Sequence, residues 1–140
     1  MTLDIKIREA IQSDIPVLVQ NNQALALETE NIQLNSETLF SGVSNALDRE
    51  ECHYFVAELN GEVAGQIMIT YEWSDWRNGI LWWIQSVFVR PEYRSKGVFR
   101  KLFEHVEQLA RNHPEVKALR LYVIKDNHSG IKTYEALGMS

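Results

Sequence analysis

Two Asn-Gly pairs, Asn60-Gly61 and Asn78-Gly79, divide the middle of the chain into three β-prone runs. The first sits inside "HYFVAELNGEVAGQIMITYEW", the second inside "SDWRNGILWWIQSVFV". A two-residue hairpin turn whose twist matches its strands needs positive φ at both central residues, which Asn and Gly tolerate best. The pairs therefore predict an antiparallel three-strand meander. The third run, "ILWWIQSVFV", is apolar at successive positions, which predicts burial on both faces and a central place in the sheet. Gln85 and Ser86 interrupt it. Polar residues in mid-strand predict a bulge or a nearby ligand.

The flanks carry different periods. "LDIKIREA" alternates Leu3, Ile5 and Ile7 with charged residues and reads as a strand with one buried face. "QSDIPVLVQNNQALALE" reads as a helix: Ser13 or Asp14 caps it, Pro16 suits its first turn, and Ile15, Leu18, Val19, Asn22, Leu25 and Ala26 fall near helical spacing. "NSETLFSGVSNALDRE" is a second helix, capped by Asn35 or Ser36, with Leu39, Val43, Ala46 and Leu47 as its stripe. The acidic "ETENIQL" is read as an irregular link between them. After the meander, Val98, Leu102, Val106, Leu109 and His113 mark one helical stripe, with Phe103 and Ala110 beside it and Pro114 closing it. "VKALRLYVI" is a further strand, and "DNHSGIKTYEALG" a short helix capped by Asn127 and ended by Gly138. The order β-α-α-β-β-β-α-β-α gives a mixed α/β fold: a mostly antiparallel sheet with one parallel β-α-β crossover near its end and helices on both faces.

With 140 residues, 45% of them hydrophobic and 24% charged, the chain suits one globular domain over residues 1–140. A formal net charge of -5 argues against a nucleic-acid partner. No segment is long and apolar enough to span a bilayer, and "MTLDIKIREA" lacks the apolar core of a signal peptide. The expected location is the cytoplasm, which one unpaired cysteine, Cys52, also suits. The four histidines show no metal-ligand spacing, and no metal is expected.

"VRPEYRSKGVFRKLFEHV" leaves the buried third strand, gathers Arg94, Lys96 and Arg100 around Gly97, and opens an amphipathic helix. The pattern fits an ordinary strand-to-helix turn. It also fits an anion cradle, because such a junction aims several backbone N–H groups and the positive end of a helix at one point. A glycine there lets an oxygen approach the main chain.

"IQSVFVRPEYRSKGVFRKLFEHV" and the later "LRLYVIKDNHSGIKTYEALGM", in this order of elements, resemble the GNAT N-acetyltransferases across essentially the whole chain. The family's pyrophosphate loop reads Arg/Gln-x-x-Gly-x-Gly/Ala; Arg94 and Gly97 match it, and Phe99 departs from it at the last position. The resemblance implies acetyl-CoA as co-substrate, with its pantetheine arm between the strands at 81–89 and 118–124 and paired to main-chain groups of Val87 and Val89. The loop of Arg94, Ser95, Lys96, Gly97, Val98 and Phe99 would hold the pyrophosphate. Asn127 would touch the arm, and Tyr134 would lie near the thioester sulfur.

Acyl transfer to an amine needs a neutral amine, a donor for the carbonyl oxygen and a proton for the leaving thiolate. The resemblance assigns the proton to Tyr134, although a packed helix aromatic would read the same in sequence. The Val87 N–H is the expected carbonyl donor. Glu72 is the first candidate for a base acting through water and Glu28 the second, with Asp75 and Glu30 nearby in sequence; solvated loop charge is the alternative for each. Trp82 and Trp83 are expected in the core, while Trp73 and Trp76 are open between core packing and an aromatic wall for a cationic acceptor. The acceptor would be a small-molecule or peptide amine. A reading from another class is a non-catalytic acyl-CoA sensor or interaction module.

Relatives in the family continue beyond the "ALGM" block into one or two more strands, whereas this sequence ends at Met139-Ser140. Either more chain follows, or a partner supplies the edge, or the acceptor site is open. An exposed sheet edge favours association, so a homodimer is expected.

Overall fold

The computed structural model describes residues 4–121. The expected last helix, with Asn127 and Tyr134, lies outside the described residues, as do Leu3, the end of the last strand and the "ALGM" block. Five strands form one sheet in the order β1-β2-β3-β4-β5: β1 Ile5–Glu9, β2 Cys52–Leu59, β3 Glu62–Ser74, β4 Gly79–Val89 and β5 Val116–Leu121. Neighbours are antiparallel through β4, and β5 runs parallel to β4. The helices are α1 Ile15–Glu30, α2 Ser36–Leu47 and α3 Val98–Arg111. The β4-α3-β5 unit is the predicted crossover.

The two faces of the sheet have separate cores. On one, Val98, Leu102, Phe103 and Val106 of α3 pack on Phe55, Ala57, Ile67, Ile69, Trp82 and Ile84. On the other, Leu18 of α1 and Val43 of α2 pack on Tyr54 and Val56. Neighbouring residues of β2 thus serve opposite layers, as the two-residue period of a strand requires.

The first Asn-Gly pair behaves as predicted. Asn60 and Gly61 have φ of 56° and 80°, and Leu59 pairs with Glu62 across them. The second pair does not form a two-residue turn. Ser74 pairs with Gly79, so Asp75–Asn78 is a four-residue loop, with Asn78 left-handed at φ 49° and Gly79 already in β4. What Gly79 provides is space, because a Cβ there would lie 2.7 Å from the Glu115 carbonyl oxygen and would collide with the Lys117 side chain. That close approach admits the start of β5, where the Ile80 N–H donates to Glu115 O at 2.8 Å.

Two local expectations need correction. The stretch containing Glu28 and Glu30 is helical, since α1 runs to Glu30 and ends at Asn31, left-handed at φ 53°. Asparagine supplies the ending that glycine often supplies. The link to α2 is correspondingly short, and Asn35 caps α2 by accepting from the Thr38 N–H at 2.9 Å. Asp14 precedes α1 but does not cap it through its side chain. Its carboxylate instead takes the Arg8 guanidinium at 2.7 and 2.9 Å and the Ile11 N–H at 2.8 Å. The Arg8 hydrogen bond holds the Asp14 carboxyl below its usual range, and Arg8 is raised in turn, first by Asp14. Arg8 also reaches Glu58 at 2.8 Å, which ties β1, β2 and the start of α1 together.

Two outcomes check this arrangement. Gly79→Ala should cost about 1–3 kcal/mol in chemical denaturation, because backbone rather than a flexible side-chain tip blocks the new methyl. Asp14→Asn should cost about 1.5–3 kcal/mol at neutral pH, the range for hydrogen bonds to charged groups. Asp14 is depressed in the fold, so its contribution is present above the unfolded value near ~3.9 and disappears as pH falls through the folded value. Melting curves of the two proteins should therefore converge in acid.

Candidate active site

The ladder between β3 and β4 slips at one place. Gln66 pairs with Phe88 and Met68 with Gln85, so two steps on β3 answer three on β4. The extra residue lies at the predicted interruption, and Ser86 is left-handed at φ 50°. Holding a non-glycine residue there costs on the order of 1–3 kcal/mol and persists only where neighbours enforce it. Several do. The Gln66 amide donates from Nε2 to the Ser86 carbonyl at 3.0 Å. The Tyr54 hydroxyl lies beside Ser86 and accepts from Asn22 Nδ2 at 3.2 Å, and Asn22 also donates to the Leu18 carbonyl. Burial pushes the Tyr54 phenol above its ordinary value, against the opposing influence of Asn22 and Ser86, so it stays neutral.

Gln66 is fully buried, and its Oε1 has no hydrogen-bond partner among the described residues. Leaving such an atom unpaired costs about 1–3 kcal/mol. The same holds for Nδ2 of Asn21, in α1 on the same face. Sequence reading passed over Gln66 and Tyr54, and took Asn22 only as one position of the α1 stripe. The available signal was a glutamine amid the buried run "VAGQIMI".

Beyond the bulge, Val87 and Val89 pack toward α3. A short 3-10 turn, Pro91–Tyr93, leads into the loop. Ser95 and Gly97 are both left-handed, at φ 63° and 86°, and Gly97 directly precedes α3. A Cβ on Gly97 would meet no protein atom within 4 Å. Val98 is buried, and the Phe99 ring packs toward the α3 layer, 6.1 Å from Phe103. The residue that departs from the glycine-rich pattern thus turns its bulk toward the core. Lys96 and Arg100 are exposed, and among the described residues neither pairs with an acid. Arg94 donates from Nε to the Val89 carbonyl at 2.9 Å and ion-pairs with Glu28 at 2.8 Å, with its guanidinium 5.5 Å from the centre of the Phe88 ring.

Glu72 is on β3, where its carboxylate accepts from Trp83 Nε1 at 2.6 Å. One rung along, Gln85 donates to Thr70 Oγ1. Trp83, expected in the core, is instead half-buried beside this carboxylate. Trp82 is core, stacked on Tyr71 at 5.6 Å. Trp73 and Trp76, at 62% and 94% exposed, pack into neither core and lie away from the loop, at the end of β3 and in the hairpin. Glu28 and Glu72 are therefore apart in role: one is bound to the loop arginine and the other to an indole. Cys52 opens β2, and burial raises its thiol, which suits no nucleophile.

β5 pairs with β4 only over its first part among the described residues, from Ile80↔Val116 to Ile84↔Leu121. Val87, Val89 and the loop lie past that stretch. The described structure thus brings together the bulge, the left-handed loop and the start of α3. Asn127 and Tyr134 belong to the residues outside it.

Known proteins share this fold. A possible acetyltransferase from Clostridium difficile 630 superposes with a TM-score of 0.90 at 43% identity, covering 96% of this chain and 90% of that one. A predicted acetyltransferase from Clostridium acetobutylicum, solved with acetyl-CoA, has the same fold at TM-score 0.80 and 19% identity, covering 98% and 90%. A thialysine N-epsilon-acetyltransferase of Caenorhabditis elegans is 28% identical over 65% of this chain, which spans 56% of that relative's length. The family model for the Acetyltransferase (GNAT) family matches residues 19–139. The chain belongs to the GNAT acetyltransferase family.

Proposed function

We propose that this chain is an N-acyltransferase that moves an acetyl group from acetyl-CoA to a primary amine by direct attack. The observation that carries the reading is the left-handed Gly97 at the start of α3, in the loop that follows a strand carrying a bulge at Ser86. The residues fit a diphosphate. Positive φ at Ser95 and Gly97 turns the main chain, the first N–H groups of α3 have no acceptor within the helix, and the space beside Gly97 is clear of protein atoms. Arg94, Lys96 and Arg100 add positive charge. Val98 and Phe99 anchor the helix start from below.

Acetyl-CoA supplies the activated acetyl thioester; this chain binds it, aims it and moves protons. Main-chain groups of Val87 and Val89 hold the pantetheine amides as an added strand would, and Asn127 contacts the same arm. The Val87 N–H donates to the thioester carbonyl as negative charge builds there. Glu72, fixed by Trp83, accepts the amine proton through a water molecule. Glu28 serves Arg94 in the resting arrangement, which favours Glu72 as the base. Tyr134 returns a proton to the departing thiolate, and the thioester C–S bond breaks as the amide C–N bond forms. The acceptor is an amine on a small molecule or peptide; thialysine, named in the Caenorhabditis elegans relative, belongs on the test panel.

A thiol-release assay with acetyl-CoA and a panel of amines tests the reading. Binding without any acylated amine would leave an acyl-CoA sensor in its place. At a concentration 100-fold above its Kd, acetyl-CoA should stabilise the protein by roughly 2.7 kcal/mol. Gly97→Glu should abolish that gain, through left-handed strain and charge against the phosphates; an unchanged gain removes the loop from the site. Glu72→Gln and Tyr134→Phe should each lower kcat, by about 10²-fold for the base, with acetyl-CoA affinity nearly intact. Full activity in either variant would make that side chain structural.

A further inference from the structure

We infer that Gln66 is a positioning residue for catalysis, and that it aims the Val87 N–H at the acyl carbonyl by holding the Ser86–Val87 peptide from behind. The inference rests on the acyl-transfer reading above. Its geometry is independent of that reading.

Gln66 Nε2 donates to the Ser86 carbonyl oxygen at 3.0 Å. That oxygen and the Val87 N–H belong to one peptide unit, which is planar. No cis peptide is present among the described residues, so the C=O and N–H of this unit point in opposite directions. A carbonyl held by the Gln66 amide therefore sends the Val87 N–H away from that amide. Pairing between β4 and β5 reaches Ile84 and Leu121 among the described residues, and Val87 lies beyond it. The acyl-transfer reading sets the thioester carbonyl on that side of the peptide.

The peptide needs holding. Ser86 is left-handed without being glycine, and the register slip leaves Val87 without a Cα partner on β3. Its peptide could rotate if nothing fixed it. Tyr54, steadied by Asn22, lies beside Ser86, and Gln66 holds the Ser86 carbonyl. Gln66 is also a poor choice for stability, being fully buried with Oε1 unpaired among the described residues. An apolar side chain would suit the layer better. A local rule broken at a stability cost beside a strained residue points to function.

The test compares wild-type protein with Gln66→Met, which keeps volume but cannot donate, and with Gln66→Glu. For Gln66→Met, kcat should fall about tenfold to a hundredfold, somewhat less than outright loss of a carbonyl donor, while the acetyl-CoA Kd changes less than about twofold. Infrared spectra of bound carbonyl-labelled acetyl-CoA supply a readout that simple packing would not move. The carbonyl band should sit at lower frequency in the wild type and return toward its free position in Gln66→Met.

Gln66→Glu keeps the shape. Burial favours its neutral form, which donates as the amide does. Its kcat relative to wild type should be near one at low pH and fall as the carboxyl ionises, with the neighbouring Tyr54 phenol neutral throughout. This profile decides the matter if Gln66→Met fails to fold. A wild-type carbonyl shift that survives in Gln66→Met, or a flat pH ratio in Gln66→Glu, overturns this inference alone. Wild-type protein that binds acetyl-CoA without shifting its carbonyl band overturns the acyl-transfer reading and this inference together.

Discussion

One extra residue in β4 organises the rest of the molecule. Strand side chains alternate, so an inserted residue exchanges the faces of everything after it. Before Ser86, the even positions Ile80, Trp82 and Ile84 pack toward α3; after it, the odd positions Val87 and Val89 do. Without the slip, Phe88 would turn toward α3, and Val87 and Val89 would turn to the layer of α1 and α2. The bulge lets a single strand feed the α3 core at both ends while its backbone leaves the ladder in between. Ligand chemistry can enter there because main-chain groups released from a sheet are the strongest directional groups a strand can offer.

The same slip separates two kinds of surface. The polar contacts of Gln66, Tyr54 and Asn22 lie on the face of α1 and α2, as does the Glu72–Trp83 pair. The left-handed loop follows the end of β4 and enters α3 on the other face. A group held at the bulge would therefore have the proposed carboxylate on one side and the diphosphate loop on the other. β5 meets β4 closely at Gly79 and, among the described residues, is paired with it as far as Ile84. Among the described residues that pairing stops short of Val87 and Val89.

Local chemistry was legible in the sequence wherever a residue acts on its own neighbours. Asn60-Gly61, the Asn35 cap and the mid-strand Gln85-Ser86 each carry their conformational reason with them. Gly97 did too, because a left-handed residue before an amphipathic helix is a local device. The errors come from competition at a distance. Asp14 has the chemistry of a cap, but Arg8 and the Ile11 N–H take its oxygens. Asn78-Gly79 has the composition of a tight turn, but the approach of Glu115 decides what Gly79 does. Trp83 has a core residue's composition, but the fold sets Glu72 beside its indole nitrogen. Gln66 looked like filler in a strand, since its meaning depends on a carbonyl twenty residues away in sequence. No periodicity encodes a pairing of that kind.

Arg94 shows why the loop should be considered together with α1. Its ion pair with Glu28 is largely exposed, and pairs of that sort contribute about 0–1 kcal/mol to stability. Their geometry matters more than their energy here. The same guanidinium bonds the last carbonyl of β4, lies near the Phe88 ring and reaches the final turn of α1. The end of β4 and the distant end of α1 thus meet at one loop side chain. A loop held at such a junction has already lost much of its freedom before any phosphate arrives, so binding has less ordering to impose. Phosphate oxygens would compete with Glu28 for that guanidinium. If the loop holds a diphosphate as proposed, its binding and the position of the α1 terminus would be coupled through one arginine, and the coupling would act in both directions.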